Sequence, residues 1–192
     1  MVRKLFRNAN IYTPVDRGAP LAGTALSRMA RFQGGSLYSV NGVLRAVGDE
    51  RDVLAVAASS GIDMEVDCQG LCLIPGFVDC HTHMCFATLR EEEFGLRLEG
   101  LDYLEILRRG GGILSSVRSV RSVSEQDLFA ATRRQVLKAL QFGTTTVEIK
   151  SGYGLNTQSE LKMLRVIERV GKETALDVIP TFMGAHAVPE SH

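Results

Sequence analysis

The chain has 192 residues, of which 45% are hydrophobic and 23% charged, and its 22 basic and 22 acidic residues cancel. A chain of this length can bury a core and is expected to form one domain or slightly more. The balanced charge gives no support for electrostatic binding to nucleic acid or to an anionic membrane. No apolar run approaches the roughly 18 residues that a membrane helix needs, and polar residues follow Met1 too soon for a signal peptide. We therefore expect a cytoplasmic protein that binds neither nucleic acid nor membrane.

Residues 1–72 are predicted to be a β-rich segment. Its clearest feature is a hairpin over residues 36–47, because Asn41-Gly42 is a pair that tolerates the positive φ angles of a tight turn. Residues 13–35 contain several glycines and prolines but little periodicity, so we expect them to be largely irregular. The remaining predicted elements are strands over residues 4–11 and 64–68, a short helix over 49–59 and a turn at Gln69-Gly70.

The next stretch, residues 71–83, is an apolar run that turns at Pro75-Gly76 and continues into His81-Thr82-His83. Side chains alternate faces along a strand, so His81 and His83 would project from one face, with Asp79 two residues upstream on the same face. Two imidazoles placed in this way can chelate one zinc or iron ion. The alternative is a surface histidine pair that binds nothing. The buried-type strand expected before the pair favours the metal site.

The rest of the chain is predicted to alternate helices and strands. A helical region at 90–107 is interrupted by Gly110-Gly-Gly112, which lacks the Lys-Ser/Thr of a phosphate-binding loop and fits a flexible active-site loop or a plain linker. Ser124 caps a helix that ends near Gln141, and Thr157-Gln-Ser-Glu160 is predicted to be a capping box. The helix after this box should bury one apolar side, formed by Leu161, Leu164, Ile167 and Val170. Strands are predicted at 144–149 and 176–182, which gives a parallel α/β arrangement.

Polar residues follow three of the predicted strands: His81, His83 and Arg90; then Lys150, Ser151 and Tyr153; and finally His186. In a (β/α) barrel the carboxyl ends of the strands meet at one mouth, which carries the chemistry. A metal ion there would lower the pKa of a bound water toward ~7.

Each of these residues has a structural alternative. Arg90 could pair with a substrate carboxylate through its planar fork, or form a salt bridge with the following glutamates. Tyr153 could expose its hydroxyl between two glycines or simply pack in a loop. His186 could orient a substrate or be a structural histidine. Lys150 receives no role, because Glu148 or Asp79 could pair with it.

The four cysteines do not form a disulfide framework in a chain this long, and their spacing is not that of a zinc ribbon. We predict that they are reduced and mostly buried. They are Cys68, Cys72, Cys80 and Cys85.

Residues 75–83 resemble the first barrel strand of the amidohydrolase superfamily. Further segments are similar, in the same order, to the imidazolonepropionase family, namely residues 90–94, 103–107, 110–114, 147–155, 160–167 and 180–189. This resemblance implies an α/β fold in which residues 73–192 form about three βα units, the first part of a (β/α)8 TIM barrel. It also implies that residues 1–72 form the N-terminal part of a composite β-sandwich.

The same resemblance implies an enzyme of histidine degradation. Its reaction is the hydrolysis of 4-imidazolone-5-propanoate to N-formimidoyl-L-glutamate, in which metal-activated water opens the ring at a C–N bond. By this resemblance, His81 and His83 bind a zinc or iron ion. Arg90 and Tyr153 hold the propionate carboxylate, and His186 contacts the imidazolone.

The sequence also departs from the family pattern. Members of the family carry a further histidine ligand, a general-base glutamate and a metal-binding aspartate on later strands, so we expect no catalytic residue within this chain and a general base beyond residue 192. One alternative is a truncated, non-catalytic remnant that self-associates as a homo-oligomer through open sheet edges. Another is an amidohydrolase or deaminase that acts on a different cyclic amide or amidine.

Overall fold

The fold is described from a computed structural model, which covers residues 1–15 and 18–188. The chain divides into two compact units, Met1–Pro75 and Gly76–His192. Every helix in the covered residues is too short or too polar to traverse a lipid bilayer.

The first unit is built on one five-stranded sheet. Its strands are β1 (Arg3–Pro14), β2 (Met29–Val40), β3 (Val43–Gly48), β4 (Met64–Asp67) and β5 (Cys72–Leu73). The order is β3-β2-β1-β4, and β5 also pairs with β1. Strands β1, β2 and β3 are antiparallel, whereas β4 and β5 run parallel to β1. A 3-10 helix (Gly23–Ser27) and helix α1 (Glu50–Ala58) complete the unit.

The local predictions for this unit are mostly confirmed. Asn41 and Gly42 form the hairpin turn, with φ angles of 51° and 80°. The prediction that residues 13–35 are largely irregular was wrong, because β2 already begins at Met29. The glycine pair Gly34-Gly35 makes this strand hard to recognise in the sequence. Gly34 has a positive φ of 61°, and the pairing of β2 with β1 changes register beside Gly35. A bulge of this kind breaks the two-residue alternation on which strand prediction depends.

A small apolar core stabilises this unit, and the Arg3–Asp63 ion pair is one of its polar contacts. Leu5, Tyr38, Val53 and Ala57 form the buried cluster, and the Tyr38 hydroxyl donates to the carbonyl of Gly61 at 2.7 Å. Arg3 donates to the Asp63 carboxylate from its backbone nitrogen at 2.8 Å and from its guanidinium Nε at 2.9 Å. These bonds favour the charged carboxylate and lower the pKa of Asp63 to about 2.

The second unit is built on a three-stranded parallel sheet in the order β6-β7-β8. The strands are β6 (Phe77–Thr82), β7 (Thr144–Lys150) and β8 (Asp177–Thr181). Helices α2 (Glu91–Leu98), α3 (Tyr103–Arg108), α4 (Ile113–Ser122) and α5 (Glu125–Gln141) connect β6 to β7, and α6 (Thr157–Glu173) connects β7 to β8. The predicted parallel α/β order is therefore confirmed.

The core of this unit lies between β7 and the two long helices. Val147 and Ile149 of β7 are completely buried and belong to one cluster with residues of α5 and α6. That cluster includes Leu128, Val136, Met163, Val166, Ile167 and Val170. Strand β7 has the β-branched composition that suits such a position. Because β6 lies at the edge of the sheet, its Phe77 and Val78 are exposed, which differs from the buried-type strand predicted for this stretch.

Helices α2 to α4 differ in detail from the prediction. The helical region at 90–107 is two helices, separated near Gly100, whose φ is 93°. Helix α4 was not predicted, although Ile113, Val117 and Val120 carry the i, i+4, i+7 spacing of an apolar face. The triple glycine joins α3 to α4, and the nitrogen of Gly112 donates to Glu93 Oε1 at 3.0 Å.

The predicted capping box at the start of α6 was wrong. Asn156 is the N-cap residue, and its side chain accepts a hydrogen bond from the nitrogen of Ser159 at 2.8 Å. The Glu160 carboxylate instead bonds to the loop that precedes the helix. The predicted buried side of α6 was partly wrong as well, because Leu161 is 50% exposed.

The prediction that the cysteines are mostly buried was also wrong. All four are free thiols, but Cys72 and Cys80 are exposed, Cys68 is half-buried and Cys85 alone of the four is buried. Burial raises the pKa of the Cys85 thiol to about 12, which makes it a poor nucleophile.

Candidate active site

The two histidines of the metal-ligand prediction lie together at the carboxyl end of β6. The ring centroids of His81 and His83 are 5.6 Å apart, with an angle of 63° between the ring planes. His81 is exposed, whereas His83 is half-buried. The two histidines are two residues apart, so both imidazoles project from the same face, as the sequence pattern indicates.

His83 is the more constrained of the pair. Its Nδ1 atom is buried and has no hydrogen-bond partner in the part of the chain that the structure describes. Burial lowers the pKa of His83, and the nearby His186, His81 and Lys150 lower it further. The ring is thus favoured in its neutral form, which is the form that binds metal ions. A buried nitrogen that lacks a partner is suited to coordinate an ion.

The loops after β7 and β8 bring Tyr153 and His186 to His83. The centroid of the His83 ring lies 5.3 Å from that of Tyr153 and 4.7 Å from that of His186. Tyr153 and His186 are themselves 5.7 Å apart. Three strand ends therefore supply one cluster of rings, as the parallel sheet predicts.

Tyr153 is a protonated hydrogen-bond donor at neutral pH. Burial raises the pKa of its phenol, and the positive charge of Arg90 opposes this only in part. Its hydroxyl can therefore donate to an anionic group that enters beside it.

A cavity of about 330 Å³ adjoins this cluster. Arg90 lies in its wall, and Arg90 Nε is 3.8 Å from Glu93 Oε2, so the salt-bridge alternative is present and the pairing with a substrate carboxylate stays a prediction. The cavity is large enough for a small organic molecule. Its walls combine apolar and polar side chains: His83, Met84, Phe86, Thr88, Leu89, Arg90, Ser116 and Tyr153.

Ser116 was missed by sequence reasoning because α4 was missed. It lies on that helix and is 6% exposed, so its hydroxyl is one of the few buried polar groups of the unit. The apolar spacing of α4 is the signal that could have placed it.

Lys150 pairs with Glu148, one of the two partners considered for it, and not with Asp79. Burial alone would raise the pKa of Glu148, but hydrogen bonds from Lys150, Thr181 and the Thr82 nitrogen lower it overall. The hydroxyl of Thr82 also donates to the carbonyl of Glu148 at 2.6 Å. Glu148, which sequence reasoning did not assign, thus connects the ends of all three strands.

The described residues supply part of a metal-ligand set. Within residues 1–15 and 18–188, no three side chains of the His, Cys, Asp and Glu types lie close enough to hold an ion together. His81 and His83 can provide two nitrogen ligands, and the unpartnered Nδ1 of His83 fits that role. The residues present therefore fit a metal ion at this strand end, with further ligands supplied by other groups.

Residues 72–190 match the model of the Amidohydrolase family. The chain belongs to this family. The match covers the whole second unit except its last two residues, and so includes every predicted site residue.

Curated relatives extend the similarity over the whole chain. The chain is 64% identical to the imidazolonepropionase of Syntrophobacter fumaroxidans over 192 residues, which is 100% of this chain and 45% of that protein. It is 56% identical to the imidazolonepropionase of Desulfotalea psychrophila over 189 residues, or 98% of this chain and 46% of that protein. The chain thus spans less than half the length of these relatives.

Solved structures support the fold. The chain resembles E. coli guanine deaminase with a TM-score of 0.64 at 16% identity, over 94% of this chain and 36% of that one. It resembles an uncharacterized metal-dependent hydrolase from Pyrococcus furiosus with a TM-score of 0.58 at 17% identity, over 94% of this chain and 50% of that one. The predicted α/β fold class is confirmed.

Proposed function

We propose that this chain carries the first part of the active site of an imidazolonepropionase. In this proposal the enzyme hydrolyses 4-imidazolone-5-propanoate to N-formimidoyl-L-glutamate in histidine degradation. The observation that carries the proposal is the meeting of His83, Arg90 and Tyr153 at one cavity, in a chain 64% identical over its full length to an imidazolonepropionase.

His81 and His83 are the proposed ligands of a divalent metal ion, zinc or iron. When bound, such an ion supplies a water activated for attack on a carbonyl carbon. The contribution of the chain is to favour the neutral form of His83 and to hold both imidazoles in place. The buried environment of His83 and the hydrogen bonds of Thr82 to Glu148, which tie β6 to β7, support this role.

Arg90 and Tyr153 are proposed to hold the propionate carboxylate. The Arg90 guanidinium can form two parallel hydrogen bonds to a carboxylate, and the protonated Tyr153 hydroxyl can donate a third. Glu93, at 3.8 Å from Arg90, is a loose partner, so a substrate carboxylate can replace it. A cationic wall argues against a neutral nucleobase and therefore against a deaminase of that kind.

His186 is proposed to contact the imidazolone ring. Its stacking on His83 places it beside the proposed metal ligands, where it can hydrogen-bond the ring while the carboxylate is held by Arg90. In the hydrolysis the water oxygen bonds to the ring carbonyl carbon, the C–N bond breaks and the ring nitrogen takes up a proton. No described residue of this chain is proposed as the general base.

Metal and substrate binding by the 192-residue chain test this proposal. We expect isothermal titration to detect Zn²⁺ binding by the wild-type chain, and His81→Ala and His83→Ala each to weaken it at least about tenfold. Arg90→Ala is the control, because Arg90 is assigned to the substrate carboxylate and should leave Zn²⁺ affinity unchanged. A wild-type chain that binds neither Zn²⁺ nor 4-imidazolone-5-propanoate would contradict the proposal.

A further inference from the structure

Glu160 is a buried carboxylate that the proposed reaction does not use. It lies in the first turn of α6 and is 3% exposed. Its Oε2 accepts a hydrogen bond from the nitrogen of Gly152 at 2.9 Å. Its Oε1 accepts from the nitrogens of Gly154 and Leu155 at 2.7 and 2.9 Å. One carboxylate therefore binds three backbone groups of the loop between β7 and α6.

The loop needs this support because its backbone is unusual. Leu155 has a φ of 50°, in the left-handed region that a leucine rarely adopts. The loop also approaches the start of α6 very closely: a Cβ atom on Gly154 would lie 2.5 Å from the nitrogen of Glu160 and 2.8 Å from its Oε1. On its other side, the Gly154 carbonyl accepts a hydrogen bond from Arg121 Nε at 2.7 Å. The loop is thus held in one conformation from two directions.

This loop carries Tyr153 and supports His186. Tyr153 lies between the two glycines that Glu160 binds, and its ring faces that of His83. Gly152 has a φ of 110°, and a Cβ on it would lie 2.9 Å from the Cβ of His186. A shift of Gly152 would therefore move both the phenol and the imidazole that line the candidate site.

We propose that Glu160 is a positioning residue, whose carboxylate holds residues 152–155 and thereby places Tyr153 against His83 and His186. The consequence for substrate affinity rests on the function proposed above. Hydrogen bonds from backbone nitrogens to a charged carboxylate are stronger than those to a neutral acceptor. Glutamine has nearly the same shape, but its amide nitrogen is a donor and would face a backbone donor.

The test compares Glu160→Gln with Glu168→Gln in the full chain. Glu168 lies on the same helix but is exposed and pairs with Lys172 at 2.6 Å, so its replacement is a matched control. Two NMR measurements are needed: the hydrogen-exchange rates of the Gly152, Gly154 and Leu155 amides, and the nuclear Overhauser effect between the Tyr153 and His83 rings.

In Glu160→Gln we expect exchange at those three amides to rise at least about tenfold and the Overhauser effect to weaken. The amides of Val147 and Ile149 in β7 should keep their wild-type protection, and Glu168→Gln should match the wild type throughout. If Glu160→Gln does not fold, Glu160→Asp tests the same contact, because it keeps the carboxylate but shortens the side chain by one methylene, and it should produce the same two changes. A folded variant with wild-type exchange and a wild-type Overhauser effect would overturn the proposal.

Substrate affinity separates this proposal from the function on which it rests. We expect Glu160→Gln to weaken binding of 4-imidazolone-5-propanoate about tenfold, with no change in Glu168→Gln. Unchanged affinity in Glu160→Gln would overturn the positioning role. If the wild-type chain does not bind the compound, the proposed function fails, and the NMR measurements alone decide the role of Glu160.

Discussion

The imidazole rings of His83 and His186 stack, with centroids 4.7 Å apart and an angle of 30° between their planes. Their strands, β6 and β8, are not neighbours, because β7 lies between them. The loops after β6 and β8 must therefore meet across the end of β7, where Tyr153 completes the cluster. Residues more than a hundred positions apart in the chain thus form one site.

Arg90→Ala should weaken binding of 4-imidazolone-5-propanoate by about tenfold to a hundredfold, because it removes a charged, two-point contact to the carboxylate. Binding is measured by titration of the chain with this compound and with an imidazolone that lacks the propionate. Arg97→Ala is the control. Arg97 of α2 lies over the Tyr103 ring of α3 and does not line the cavity. An equal loss of affinity for both compounds would exclude carboxylate recognition by Arg90.

Ile167→Ala should lower the free energy of unfolding of the second unit by about 2–5 kcal/mol, because it leaves a cavity in a completely buried cluster. Leu161→Ala, on the exposed side of the same helix, should cost less than about 1 kcal/mol. Urea denaturation of the two variants gives both values. Equal losses would mean that α6 packs through a different face.

The Arg3–Asp63 pair should make the stability of the first unit depend on pH below about 4. The folded pKa of Asp63, about 2, lies below its ordinary value of 3.8, so its stabilising effect is complete above pH 4 and is lost as the pH falls toward 2. Asp63→Asn removes this part of the dependence, whereas Asp52→Asn, an exposed carboxylate in α1, should retain it. Urea midpoints at pH 5 and pH 2.5 measure the difference. Identical losses in wild type and Asp63→Asn would refute it.

Thiol labelling should distinguish Cys85 from the exposed cysteines. With a pKa of about 12 and complete burial, Cys85 presents almost no thiolate at pH 8, so iodoacetamide should modify it at least about a hundredfold more slowly than Cys72 or Cys80. Mass spectrometry of the native chain follows the three rates, and labelling in urea should abolish the difference. Rapid native labelling of Cys85 would show that its surroundings open readily.

Elements with local signals were predictable from the sequence. The Asn41-Gly42 turn, the Ser124 cap and the β-branched composition of β7 each depend on neighbouring residues, and the structure contains all three. The histidine pair is local too, because strand alternation alone brings His81 beside His83. The meeting of Tyr153 and His186 at this pair follows from the parallel order of the strands.

Features that depend on distant contacts were not predictable in this way. The Thr157–Glu160 pattern resembles a capping box. The Glu160 carboxylate instead accepts hydrogen bonds from the loop before the helix, and Asn156 caps α6. The exposure of Leu161 and Cys80 depends on which other elements pack against α6 and β6. The spacing of residues along one element does not contain this information. Ser116 lines the cavity because it lies on α4, the helix that was not predicted from its apolar spacing.

The hydrogen bonds between Thr82 and Glu148 join positions 66 residues apart, whereas β7 and β8 are linked by a single intervening helix. Closing the longer loop costs more chain entropy, so β6 is expected to join the sheet after β7, α6 and β8 have already assembled. Both β6 and β8 are edge strands, but the longer connection should make β6 the first of the two to leave the sheet. The cluster around His83 can therefore unfold while the core around β7 stays folded. Opening of the candidate site is then expected to be a partial unfolding event, with a lower free energy than global denaturation.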